Sequence, residues 1–581
     1  MQYRRFVART RWASISIVTC LLVAYATVAT GAGVDTGTSV NQQRVADPVA
    51  AGERLYRDGI TVAGDPVHGI SQGDVPVSGR QAACVNCHRP SGLGSSEGGY
   101  YAPPINAPLL YAPRKLDRQR LFTPMYRKVQ PDRYTARLHQ PHMRPAYTRK
   151  SLGATLRGGV DAGGEPLATI MPRYRLTDAD VAALDAYLHT LSAHIDPGVD
   201  QKEVRLATVF SANVPAAERA AMLDTLQAYV KWRNEHLAYN VARPGFSINN
   251  RSEFIATDRK WALDVWDVQG PESTWQAQLD RHYQANPVYA LVGGVVHGSW
   301  DGPARFCDGH RIPCLFPDTE LPAWPAPEQG YTMYLSAGLV LEAKTAATYI
   351  GRTDARQQPI VQLAAHDSFG QVPAQVFAQT LDALGPDGAA SRTIMFRDRT
   401  ELDAALRANG ADPRQTLIVW PGSDAKMVLD ALIANQPKAS QIILPSRTIS
   451  VATSTEPGEL ASRLRFADPY ELKPASHYKI FETRAWLRTR GLGRDYPNTR
   501  LKAFYAMSLL NAAVAENRND YYRDYLLERM EDVSQNDMNP GMYPALALGP
   551  GDRYAAKGAK IVRLDPAHPG TLVAVSEWIA P

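Results

Sequence analysis

The stretch Cys84-Val85-Asn86-Cys87-His88 constrains this chain more than any other feature of its 581 residues. Two thiols separated by two residues, with a histidine directly after the second, have the spacing of a covalent c-type haem attachment site. Each thiol adds to one porphyrin vinyl group, and the adjoining imidazole falls beneath the iron as an axial ligand. Zinc would want a second pair of Cys or His ligands at a defined spacing, and none is visible. A redox-active CxxC pair belongs at the start of a helix after a strand, in a thioredoxin-like pattern that is missing here. The motif therefore predicts one covalently attached haem c, held by Cys84, Cys87 and His88.

A chain of this length predicts about three or four domain-sized units. The formal charge is +5, but Arg4, Arg5, Arg9 and Arg11 stand in the first eleven residues without an acid. Without them the remainder carries +1, so charge gives no case for nucleic-acid binding. Residues 1–32 combine this arginine-bearing start with an apolar run over 14–25 and small residues after it, the three parts of a secretory signal. The alternative is an uncleaved membrane anchor, since the run approaches spanning length. No other segment is apolar enough to cross a bilayer, and the mature chain is expected in the periplasm. Of five cysteines, Cys20 leaves with the signal and two go to haem. Cys307 and Cys314 then close a short loop, and in an oxidising compartment they are most simply a disulfide. A metal site using His310 lacks a fourth ligand.

The haem region is expected over 46–195. It opens on an amphipathic stretch at 49–56, and Ser91-Gly92-Leu93-Gly94 supplies a glycine-rich turn where backbone approaches the porphyrin edge. Downstream, Met171 stands in Ala168-Thr169-Ile170-Met171-Pro172, directly before a helix start capped by Thr177 or Asp178. Val181, Leu184, Tyr187, Leu188 and Leu191 continue that helix at helical spacing. This order of helix, CxxCH, Met-Pro loop and closing helix resembles class I c-type cytochromes. The resemblance implies an all-α domain in which a small residue and an aromatic of the first helix, within Ala51-Gly52-Glu53-Arg54-Leu55-Tyr56, pack on the last one. It also implies Met171 as the sixth iron ligand beside His88, which leaves no open position for a substrate. Met125, Met143, His139 and His142 are the rivals to Met171. Between 111 and 150 eleven Lys/Arg face only Asp117 and Asp132. This is either a solvated insertion pairing with haem propionates or a docking face for an acidic redox partner, with anionic lipid a third alternative.

A short linker is expected over 196–202, after which strand-like and helical runs alternate to the end of the chain. Strands are expected at 204–210, 261–268, 288–295, 312–316, 360–365, 393–397, 416–420 and 441–444, with helices between most of them. Such alternation predicts parallel sheets with crossover helices. Two blocks joined over 331–338 predict two lobes around a cleft. Ala290-Leu291-Val292-Gly293-Gly294-Val295, Tyr331-Thr332-Met333-Tyr334, His366-Asp367-Ser368-Phe369-Gly370 and a late helix at 501–515 resemble type I periplasmic binding proteins, the branched-chain amino acid receptor group. The resemblance covers 203–581. Ligands in that fold sit beyond the carboxyl ends of the strands, which nominates His297, Ser299, Asp318, Thr319, Asp367, Ser368 and Trp420, each also placed to cap the next helix. No GxSxG elbow occurs in a strand-turn-helix context, and Gly293-Gly294 has no Walker lysine after it.

The expectation is a multidomain chain: an all-α cytochrome c domain, then a two-lobed α/β domain. It is expected to transfer single electrons, an electron carrier rather than a catalyst, with an enzyme acting on a ligand near the haem the least favoured class. Its second domain binds a small ligand or docks a redox partner such as a dehydrogenase. The basic stretch 111–150 of the cytochrome domain is the expected docking face for a partner, an acidic cytochrome or a periplasmic dehydrogenase. The alternative is an importer-type solute receptor whose haem reports redox state.

Overall fold

The computed structural model describes residues 47–581 apart from 98–99, 115–142, 243–257, 326, 328–329, 386–389, 456, 473–477, 518, 535–538, 540 and 569. The expected secretory signal and Met125, His139 and His142 lie outside the described residues, as does most of the basic stretch. Among the described residues no helix is long and apolar enough to cross a membrane.

The first layer is built on two crossed helices, α1 (Pro48–Asp58) and α3 (Asp178–Leu188), with α2 (Arg149–Gly158) beside them. Helix α3 starts where its sequence allows reciprocal capping. Thr177 Oγ1 accepts from the Asp180 amide, and the Asp180 carboxylate accepts from the Thr177 amide. At the crossing, Gly52 lets the backbones meet: a Cβ there would stand 2.0 Å from the Ala183 carbonyl oxygen. Tyr56 stacks obliquely on Tyr187, ring centroids 5.3 Å apart. The expected all-α layer needs correction. Strands His68–Ser71, Val75–Ser78 and Arg173–Tyr174 form an antiparallel sheet, and Ser95–Glu97 pairs with Tyr100–Ala102. The first two strands turn through Gly73, whose φ of 72° suits glycine.

The rest of the chain forms two lobes. Lobe one holds a five-stranded parallel sheet in the order Thr332–Met333, Cys314–Leu315, Ala290–Val292, Glu203–Ser211, Lys260–Val268. Lobe two holds seven strands, in the order Ser391–Phe396, Ile360–Ala365, Thr416–Trp420, Gln441–Pro445, Leu464–Asp468, Lys560–Leu564, Leu572–Ala574. Lys560–Leu564 runs antiparallel to its neighbours on both sides, because the C-terminal segment returns to this lobe as a hairpin. Inner strands such as Ile360–Ala365 and Thr416–Trp420 are buried along their whole length, as sheets covered on both faces require. Asp367, Asp398 and Asp424 each cap the helix following a strand by accepting from a backbone amide. The chain passes between lobes at 334–338, again after Asp468, and over 541–559. Helix α4 (Leu339–Gly351) begins lobe two, while α5 (Pro497–Asn517) and α6 (Arg523–Ser534) return to lobe one. Residues 48–581 pack as one compact unit, so the helical layer and the lobes share contacts throughout.

Candidate functional site

Cys84, Cys87 and His88 occupy a single helical turn, in which the His88 amide donates to the Cys84 carbonyl at 2.9 Å. His88 is only 5% exposed, and its Nδ1 lies 2.9 Å from the Pro103 carbonyl oxygen. A carbonyl only accepts, so Nδ1 carries the proton and Nε2 keeps its lone pair. Burial lowers the imidazole pKa, against the pull of the Pro103 bond, and keeps the ring neutral. Burial pushes the Cys84 thiol up to about 12, while Cys87 is exposed. Leu55, Val67, Ala82, Leu156, Tyr174 and Leu184 wall a cleft against Cys84. Met171 packs against the same apolar cluster, in a loop anchored by Ser71 Oγ donating to the Ile170 carbonyl. A neutral imidazole with an available nitrogen, two thiols on one turn, a thioether and an apolar wall make a donor set that fits a haem.

The turn after His88 is held from far along the chain. Arg89 has φ 64° and ψ 164°, a combination that is essentially glycine's. Its carbonyl accepts from the Tyr56 hydroxyl at 2.7 Å, and its guanidinium pairs with Glu531 of α6 at 2.7 Å. One helical turn earlier, Glu528 accepts from both the amide and the hydroxyl of Ser91, at 2.7 and 2.8 Å. Burial raises the Glu528 pKa to about 8, against the Ser91 bonds and Arg89, which lower it. Nearby, Arg57 of α1 pairs with Asp524 at 2.7 Å and Arg311 pairs with Glu53. The span expected as a linker is pinned as well: Asp196 accepts from the Arg523 amide and Pro197 from its guanidinium.

Between the lobes lies a cavity of about 40 Å³ bounded by Thr319, Glu320, Ser446, Arg447, Tyr470 and Lys502. That is space for about three waters at the volume each needs. The polar groups around it already have partners within the protein. Lys502 reaches Asp318 at 2.7 Å, and Thr499 donates to the other Asp318 oxygen at 2.9 Å. Burial opposes the Lys502 charge, but Asp318 outweighs it and holds the ammonium above its ordinary pKa. Glu342 of α4 takes the amide and hydroxyl of Ser446, and burial raises its pKa to about 8. Arg447 of lobe two pairs with Glu320 of lobe one at 3.2 Å.

These two sites correspond to two different likenesses. Residues 79–192 match the cytochrome c family model. The cytochrome c region therefore has the capacity to bind haem c. The lobes resemble solved structures of solute-binding proteins. One is a branched-chain amino acid ABC transporter protein from Thermus thermophilus with bound valine, 14% identical, covering 66% of this chain and 98% of its own, with a TM-score of 0.50. Others are a fatty acid ABC transporter substrate-binding protein from Thermomonospora curvata (12%, 67% and 95%, TM-score 0.47) and a solute-binding protein from R. palustris in complex with benzoate (13%, 65% and 98%, TM-score 0.47). At such identity the likeness to the Thermus protein is one of fold. No curated protein matches the chain. The molecule joins a cytochrome c region to a two-lobed α/β module with a binding-protein fold.

Of the residues nominated for the cleft, Thr319 lines the cavity and Asp318 reaches it through Lys502. His297 bonds Glu218 at 2.9 Å, and that bond raises its pKa. Ser299 accepts from the Asp301 amide. Asp367 caps the helix that Ser368 begins, and also accepts from the Ser423 amide. Trp420 sits in the core of lobe two, its indole donating to Gln362. Cys307 and Cys314 are buried thiols whose side chains share a hydrogen bond, and among the described residues no His/Cys/Asp/Glu cluster suits a metal ion. In the cytochrome c region, Arg144 of the basic stretch is buried and donates to the Leu109, Leu110 and Pro145 carbonyls, and Arg149 pairs with Asp185. Sequence reasoning missed Glu528, Glu531, Glu342 and Lys502. Only pairing across hundreds of residues reveals them, and a single sequence carries no such signal.

Proposed function

We propose that this chain is a periplasmic mono-haem cytochrome carrying single electrons, with its two-lobed module a docking scaffold for a redox partner such as a dehydrogenase. In this reading Cys84 and Cys87 hold the haem through thioethers, with His88 and Met171 as the axial ligands. When bound, the group supplies reversible Fe(III)/Fe(II) electron exchange. The chain's own residues fix the imidazole orientation and exclude water with the Leu55 and Leu184 wall. The bond between His88 Nδ1 and the Pro103 carbonyl carries this reading, because it presents Nε2 as a ligand. The proposed domains are a signal over 1–32, a cytochrome domain over 46–195, a linker over 196–202 and the module over 203–581. Cys307 and Cys314 are assigned as a disulfide formed after export, to be read as a two-proton mass difference on reduction.

The test is mass and visible spectroscopy of exported protein. One haem should remain attached in acidified acetone and be lost in Cys84→Ala/Cys87→Ala. Colourless protein in the periplasmic fraction overturns the reading. A scaffold role is supported by a cleft whose charges pair with each other. A receptor role is the second reading, favoured by the fold shared with the valine-bound protein. Calorimetric titration with valine and with benzoate separates them: heat and saturation favour the receptor, and their absence the scaffold.

A further inference from the structure

Helix α6 belongs to the module, yet its buried carboxylates end on the residues that follow the haem attachment motif. Glu528 and Glu531 are 3% and 4% exposed, and Ser91 and Arg89 are as deeply enclosed. Arg89, next to His88, has a backbone conformation that only glycine adopts readily, so its surroundings must hold it there. Three bonds do so: Tyr56 on its carbonyl, Glu531 on its guanidinium, and Glu528 on Ser91 two residues on. The backbone of the turn continues from His88 itself, so displacement of Arg89 tilts the imidazole.

Glu531 has a second set of partners. Its other oxygen accepts from the Arg553 guanidinium at 3.0 Å and from the Gly551 amide at 3.1 Å. Both residues lie on the 541–559 crossing between lobes. Arg553 also donates to the Gly330 carbonyl, and its own carbonyl accepts from the Tyr334 amide at 2.7 Å. Tyr334 begins the 334–338 crossing, and its ring stacks on Tyr554. One carboxylate thus joins the turn beside the axial histidine to the place where two interlobe crossings run side by side.

We propose that Glu528 and Glu531 are positioning residues for the haem, and that the Arg553–Glu531–Arg89 chain makes the arrangement of the lobes a determinant of the haem's reduction potential. The proposal rests on the haem assignment made above and extends it to the regulation of that site. A partner that seats on the lobes and shifts the crossings relaxes or tightens the Arg89 turn. The module then sets the driving force of the electron transfer as well as the encounter.

The deciding variant is Arg553→Met, which removes the hinge arm without altering the cytochrome c region. In full-length protein we expect its midpoint potential, by spectroelectrochemical titration, to move in the same direction as that of Glu531→Gln. Arg553→Lys should recover most of the change. Amide exchange at Arg89, Ser91 and Gly92 should quicken about tenfold in Arg553→Met, as a locally opened segment does. In an Arg89→Gly background, where the turn no longer needs holding, Arg553→Met should add nothing further. Wild-type potential and wild-type exchange in Arg553→Met overturn the proposal, as does full additivity with Arg89→Gly. A chain without covalent haem defeats the earlier assignment instead, and the exchange measurement still decides whether hinge and turn are coupled.

Discussion

At the scale of single residues, two glutamates use one device. Glu528 grips the Pro90-Ser91 turn, and Glu342 grips Pro445-Ser446, each accepting from the serine amide and hydroxyl. Both carboxyls have pKa values raised to about 8, burial being the main cause, so the folded protein binds protons there more tightly than the unfolded chain. Their stabilisation is complete below the unfolded carboxyl pKa and is lost as pH rises through about 8. We expect urea stability of the full chain to fall from pH 5 to pH 8.5, each group contributing on the order of a few kcal/mol. Glu528→Gln should flatten part of that slope; an unchanged slope would mean the carboxyl is ionised in the fold. Met171 yields a second prediction. Met171→Leu should keep haem attached, lose sulfur ligation in the visible spectrum and lower the potential, because the thioether favours ferrous iron. That Cys84, Cys87 and His88 share one turn was legible from their close spacing. Glu528 was not, because nothing local marks a glutamate whose partner lies 437 positions away.

At the scale of elements, the α1–α3 crossing depends on absent atoms. Gly52→Ala places a methyl 2.0 Å from the Ala183 oxygen and 2.8 Å from Tyr187 Cβ, against backbone that cannot yield. Overpacking of this kind should cost about 1–3 kcal/mol or more, read as a lower urea midpoint. Both helices could be read from capping and period. The two-strand ribbon Val75–Ser78 with His68–Ser71 could not, since four-residue, mostly exposed strands, one of them carrying a proline, give no apolar–polar pattern to read. In the module, strands such as Thr416–Trp420 announce themselves as unbroken apolar runs. The cleft was harder to read. Asp318 was legible as a loop acid after a strand, but its cation comes from α5, 184 residues later. Lys502→Met should strand a buried carboxylate and cost about 3–5 kcal/mol, and adding Asp318→Asn should return much of it. A cost below about 1 kcal/mol would show that water already reaches the pair.

At the scale of the whole molecule, the cytochrome c region and the module do not behave as beads on a string. Arg57–Asp524, Arg89–Glu531 and Ser91–Glu528 are at least largely enclosed, so salt has little access to them. We expect calorimetry of the full-length protein to give one cooperative transition, and Arg89→Gln to split it in two. Two transitions in the unaltered protein would show that the junction contributes little. The two-part order and the α/β character of the lobes were legible from pattern, while the strands inside the cytochrome c region were not. The junction was not, because its ion pairs sit on surfaces that in separate domains would be ordinary solvated charge.

The pairing of Ser91 with Glu528 has a consequence for how the molecule is made. The cytochrome c region is synthesised first, and the helix that completes its wall follows more than four hundred residues later. Over that interval Cys84 and Cys87 belong to a half-built layer with an open flank. In the proposed haem reading, attachment has this period in which to occur, before arrival of the C-terminal third seals the flank.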